Sequence, residues 1–166
     1  MEDSSPADAP APYAVIVPYE PRFAADFRAL NLAWIEQYFV PEAADYAALD
    51  DPEQYILRPG GHIICAVKND DRKLLLGVCA LIPLQEGGLE LAKMAVAEAA
   101  QGLGIGRLVG EAALCAARAA GVDRVWLESN RRLEPAINLY RALGFEELPF
   151  EPSQYSRADI QMECRL

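Results

Sequence analysis

The chain has 166 residues, 52% of them hydrophobic, with 15 basic and 25 acidic side chains and a formal charge of −10. That length and apolar content allow one domain with a sizeable core and no disulfide staples. A nucleic-acid partner is excluded, because neutralising phosphates takes a basic stripe that the sequence lacks; no apolar run reaches membrane-spanning length, and the acidic start is unlike a secretory leader, so a cytoplasmic location away from membranes is expected.

In chain order, residues 1–12 mix proline, alanine and acid without periodicity and read as a flexible tail, leaving 13–166 as a single domain. A short strand over 13–18 comes first. Pro21 then opens a helix on which Phe23, Phe27, Leu30, Trp34 and Tyr38 recur at helical spacing until Pro41 ends it. A weaker helical stretch over 44–57 stops at Pro59, Gly60 and Gly61. Strands over 62–68, 73–83 and 89–96, joined by polar and glycine turns, make a meander. Alternation along the third strand sets Glu90, Ala92, Met94 and Val96 on one face and Lys93 and Ala95 on the other.

Gly102, Gly104 and Gly106 follow that strand and open a helix whose apolar stripe is expected to be Ile105, Leu108, Val109, Ala112, Cys115, Ala116 and Ala119, ending at Gly121. The strand over 122–130 follows a helical crossover, so it should run parallel to the strand over 89–96. Pro135 starts a further helix and Gly144 ends it, and strands near 145–149 and 158–166 close the sheet. An exposed edge among these last strands would support a homodimer. Cys65, Cys79, Cys115 and Cys164 are far apart in apolar settings and read as buried free thiols. His62 is the only histidine, so a multi-histidine metal site is excluded.

The glycine turn carries the chemistry. Without a Cβ, its residues can take positive φ and let an anion approach the unpaired N–H groups that head the following helix. A P-loop would need Lys and Ser/Thr after the last glycine, where Arg107 and Leu108 stand. A dinucleotide turn should open the first βαβ unit of a longer sheet, with an acid about 20 residues on. Glu128 lies at a tolerable distance, but a meander precedes the turn and too little chain follows for a doubly wound sheet.

Val96, Gln101, Gly102, Gly104 and Gly106 match, position by position, the pattern Val-x-x-x-x-Gln/Arg-Gly-x-Gly-x-Gly/Ala. It resembles the acyl-CoA signature of the GNAT superfamily of N-acetyltransferases. A second similarity lies in 127–130 and 136–145, which resemble the family's strand, helix and Asn-Ala-Tyr-Gly-Phe cluster. The resemblance implies a mixed α/β (α+β) sheet of about six to seven strands with about four helices, in the order β-α-α-β-β-β-α-β-α-β-β, its central parallel pair splayed around the donor. It implies acetyl-CoA as acetyl donor and a primary amine, on a small molecule, peptide or protein, as acceptor. It also implies that main-chain groups of Met94 and Val96 bond the pantetheine arm. Gln101, Gly102, Leu103, Gly104, Ile105, Gly106 and Arg107 would hold the pyrophosphate, and Asn130, Ala136, Asn138 and Arg141 would line the rest. Asn138 and Arg141 read equally well as ordinary exposed helix residues.

Acetylating an ammonium ion requires a base, and the departing thiolate requires an acid. The resemblance puts Tyr140 in the acid's position; periodicity alone makes it a core tyrosine alongside Ala136 and Leu143. Glu90, on the strand leading to the turn, is the first choice for base. Glu36 and Glu128 are its rivals, and ordered water is an alternative. Trp34, Glu36 and Tyr38 form an aromatic wall with one carboxylate that would suit an ammonium acceptor, although their spacing also fits a core face. A noncatalytic acyl-CoA sensor with the same turn is the alternative function.

Overall fold

The computed structural model describes residues 11–166, so nearly all of the expected tail lies outside the described residues. The elements run β1 (Ala14–Pro18), α1 (Ala24–Tyr38), α2 (Ala43–Asp50), β2 (His62–Lys68), β3 (Leu75–Pro83), β4 (Leu89–Val96), α3 (Ile105–Ala119), β5 (Arg124–Ser129), α4 (Glu134–Ala142), β6 (Glu146–Leu148) and β7 (Ile160–Arg165). Short helical turns at Pro21–Phe23, Glu53–Leu57 and Glu98–Ala100 complete the chain. This is the order expected from the sequence.

All seven strands form one sheet in the order β1-β2-β3-β4-β5-β7-β6. The β4–β5 pair is parallel, because α3 carries the chain back over the sheet between them; the other neighbours are antiparallel. Both faces are covered. On one, Ile105, Val109, Ala113 and Ala117 of α3 pack against Leu89, Leu91, Val125 and Leu127; on the other, Phe23 and Phe27 pack against Cys65, Val67, Val78 and Ala95. Burial on two faces is why β2 and β3 read as nearly continuous apolar runs.

Two helix faces differ from expectation. The stripe of α3 is Ile105, Val109, Gly110, Ala113, Leu114 and Ala117, rotated so that Cys115 is exposed while Cys65, Cys79 and Cys164 are buried. Gly110 lets α4 come close: a Cβ there would stand 2.5 Å from Leu143 Cδ1. On α1 the buried line is Phe27, Asn31 and Ile35, with Trp34 half-buried and Tyr38 exposed. The sheet selects the face that fits its twist, and spacing alone does not fix the rotation of a helix rich in apolar side chains.

The strand that prepares the site also departs from simple alternation. Val78 pairs with Ala95 and Ala80 with Ala92, so Cys79 opposes both Lys93 and Met94, and Lys93 takes φ +52°. This β-bulge reverses the faces beyond it. Met94 and Val96 turn to the α3 side and pack on that core, whereas Lys93 joins the Glu90 side and reaches Asp45 on α2. The β4–β5 ladder joins Leu89 to Val125 and Glu90 to Trp126, and beyond that point the strands part.

Candidate active site

The gap between β4 and β5 opens into a pocket. Its floor is residues 90–94 of β4 and 128–130 of β5; Trp34, Ile35 and Phe39 wall one side, Tyr140 another, and Tyr155 and Arg157 a third. Residues far apart in sequence thus meet where two parallel strands stop sharing hydrogen bonds, at the carboxyl end of β5.

Glu90 and Glu128 both line this pocket. Burial, reinforced by repulsion from Glu128 and opposed by attraction to Lys93, pushes the Glu90 carboxyl up to about 7. A base that is half-ionised near neutral pH suits the removal of an ammonium proton. Tyr140 is held by α4, its ring edge-on to Phe145 at 5.9 Å between centroids. Burial, with a smaller effect from Cys79, pushes its phenol up to about 12, so it keeps its proton at working pH while being a weaker acid than a free phenol. Glu36 is exposed and stands apart from the pocket lining, as does Tyr38. Glu36 lies two residues from Trp34 and so projects from the other side of α1; the wall beside Trp34 is completed by Ile35 and Phe39 instead.

At the head of α3, Gly102 and Gly104 both have φ +79°, and a Cβ on either would meet open space. No side chain caps this helix, so its first N–H groups are available to an anion. Gly106 differs from the expectation of positive φ: it lies inside the first turn of α3, where a Cβ would press on Leu139 Cδ2 at 3.3 Å, so its small size serves helix packing. Gln101 and Leu103 are exposed beside the turn, Ile105 is buried beneath it, and Arg107 is exposed and ion-paired with Glu111 at 2.8 Å. An open cradle of left-handed glycines before an uncapped helix fits a diphosphate.

The remaining expected donor contacts divide. Met94 and Asn130 line the pocket, and Val96 is half-buried at the end of β4. Asn130 is engaged locally, its Nδ2 donating to the Arg157 carbonyl at 2.7 Å and its Oδ1 accepting from the Arg132 N–H at 2.9 Å. Ala136 is half-buried on α4, while Asn138 and Arg141 are exposed and outside the pocket lining, with Arg141 4.0 Å from Glu147.

Sequence reasoning missed an ionic cluster beside the pocket. Asp45, fully buried, accepts from Lys93 Nζ at 2.8 Å and from both terminal nitrogens of Arg157 at 2.8 and 2.7 Å. Arg157 also donates to Glu42 at 3.2 Å, and Lys93 donates to the Tyr155 hydroxyl at 3.0 Å. Burial pushes the Asp45 carboxyl up, but the hydrogen bonds from Arg157 and Lys93 outweigh it and hold the group well below the usual carboxylate range. One signal was available: a lysine in the middle of a strand whose only other charged residue is Glu90. Nothing local linked it to residues 45 and 157.

The acetyltransferase (GNAT) family model matches residues 27–145. The fold is similar to that of a GNAT-family acetyltransferase from Staphylococcus aureus Mu50, with TM-score 0.80 and 19% identity over 92% of this chain and 98% of that one. It is also similar to an acetyltransferase from Streptococcus agalactiae 2603, with TM-score 0.77 and 21% identity over 93% and 99% of the two chains. Ard1 from Thermoplasma volcanium gives TM-score 0.74 and 17% identity over 93% and 98%. At these identities the likeness is one of fold. No curated protein matches the sequence.

Proposed function

The chain belongs to the GNAT acetyltransferase family, and from that premise we propose that it transfers the acetyl group of acetyl-CoA directly to a primary amine held in the pocket between β4 and β5. The observation that carries this reading is that Glu90, its carboxyl pushed up to about 7, and Tyr140, its phenol pushed up to about 12, line one pocket at the parting of the strands.

In this reading acetyl-CoA supplies a thioester that is already activated toward attack. The N–H groups of residues 102–107 hold its diphosphate, the Gln101 N–H being taken by the Glu98 carbonyl, and main-chain groups of Met94 and Val96, in the stretch of β4 beyond its ladder with β5, bond the pantetheine arm. Glu90 accepts a proton from the acceptor's ammonium, directly or through water, leaving the amine's lone pair free to attack. Tyr140 donates its proton to the sulfur as the thioester C–S bond breaks, and the proton that the nitrogen sheds on becoming an amide restores the phenol. Trp34 and Phe39 exclude water from that side. We read residues 13–166 as the single domain that does this.

The test is release of free thiol from acetyl-CoA across a panel of primary amines. Amine-dependent release is expected. Tight acetyl-CoA binding without release with any amine would identify an acyl-CoA sensor instead.

A further inference from the structure

We propose that the acceptor is a primary amine on an apolar body with no carboxylate beside the amine, because both cations lining the pocket are already neutralised by Asp45 and Glu42. The proposal rests on the acyltransferase reading and adds the substrate class to it.

Of the residues that line the pocket, Lys93 and Arg157 are the cations, and Glu90 and Glu128 are the acids. Arg157 turns both terminal nitrogens toward Asp45 and one toward Glu42, and Lys93 is paired with Asp45. Two positive charges thus meet two negative ones. The cations also sit against the Tyr155 ring, at 4.8 Å for Lys93 Nζ and 4.7 Å for Arg157 Cζ, which fixes them further. Among the described residues neither Glu90 nor Glu128 belongs to an ion pair, so the charge of Glu128, and that of the ionised fraction of Glu90, is the pocket's surplus. Arg132 stacks on Phe39 at 5.6 Å but is exposed and outside the pocket lining, where solvent screens it.

An ammonium entering this pocket meets unpaired carboxylates and the half-buried indole of Trp34. A substrate carboxylate beside that ammonium would meet the same acids and would have to compete with Asp45 for Arg157. Burying it without a partner is costly, so the site discriminates against amino acids and in favour of their decarboxylated counterparts.

The test compares matched pairs that differ only in the carboxylate: 2-phenylethylamine against phenylalanine, and tyramine against tyrosine. Each pair is measured by thiol release from acetyl-CoA and by equilibrium binding to the CoA-saturated protein. The amine of each pair is expected to show at least tenfold higher kcat/KM and at least tenfold tighter binding. Equal or better performance by the amino acid, or binding of neither, overturns the proposal. Preferential binding of the amine without thiol release would instead remove the catalytic reading and leave the pocket assignment standing. Glu42→Gln, nearly isosteric and at a half-buried position, leaves the two cations with one fewer negative charge and should narrow the binding preference at least threefold; an unchanged preference overturns the charge balance as its cause.

Discussion

Glu90 on β4 and Glu128 on β5 line the same pocket where the two parallel strands part, and their repulsion adds to burial in pushing the Glu90 carboxyl up to about 7. If Glu90 is the base, kcat/KM should climb about tenfold per pH unit on the acid side and level off near pH 7. Glu90→Gln should lower the plateau by roughly 10²-fold and abolish that limb. Glu128→Gln should move the limb to lower pH, since removing the neighbouring charge eases ionisation of Glu90. A limb that stays in place in Glu90→Gln would assign the proton transfer to another group.

The same carboxylate should weaken the fold. Glu90 binds its proton more tightly in the folded chain than in the unfolded one, so its contribution favours folding at low pH and is lost as pH rises from about 4.5 to about 7. Asp45 has the opposite sign: its carboxyl is lowered in the folded chain, so its stabilisation is present above the ordinary aspartate range and is lost as pH falls below that range toward the lowered folded value. Glu90→Gln should therefore raise Tm at pH 8 more than at pH 5, with a gain in unfolding free energy at pH 8 of at most about 3 kcal/mol. Asp45→Asn should lower Tm at pH 7, costing about 3–5 kcal/mol of stability if both cations stay buried, and its penalty should shrink in acid. Thermal melts across pH check both.

Tyr140→Phe keeps the edge-on contact with Phe145 and removes only the hydroxyl. As the acid it should cost about 10²-fold in kcat while acetyl-CoA affinity and Tm change little. An unchanged kcat would assign the leaving-group proton elsewhere.

At the glycine turn, Gly104 has φ +79° and open space around a would-be Cβ. Gly104→Asp adds left-handed strain and a negative charge facing the diphosphate, so acetyl-CoA should bind at least about tenfold more weakly. Gly104→Asn, which tolerates that backbone and carries no charge, should lose less. Titration calorimetry separates the two, and equal losses would assign the effect to the bulk of a side chain at 104 and not to its charge.

The order of elements, the parallel pair and the glycine turn before α3 were legible in the chain because each is written in contiguous residues: apolar period, helix-opening prolines at 21 and 135, glycines with positive φ at 102, 104, 121 and 144. Glu90 and Tyr140 were legible as candidates from their motif positions. Tertiary structure alone decided which helix faces are buried, since α1 and α3 carry apolar residues around much of their circumference. It alone placed the bulge at Lys93, because a bulge is defined by the partner strand, with Cys79 facing two residues of β4. And it alone assembled Asp45, Lys93 and Arg157, joined across up to 112 residues, because ionic pairing depends on distance in space and leaves no periodic trace in sequence.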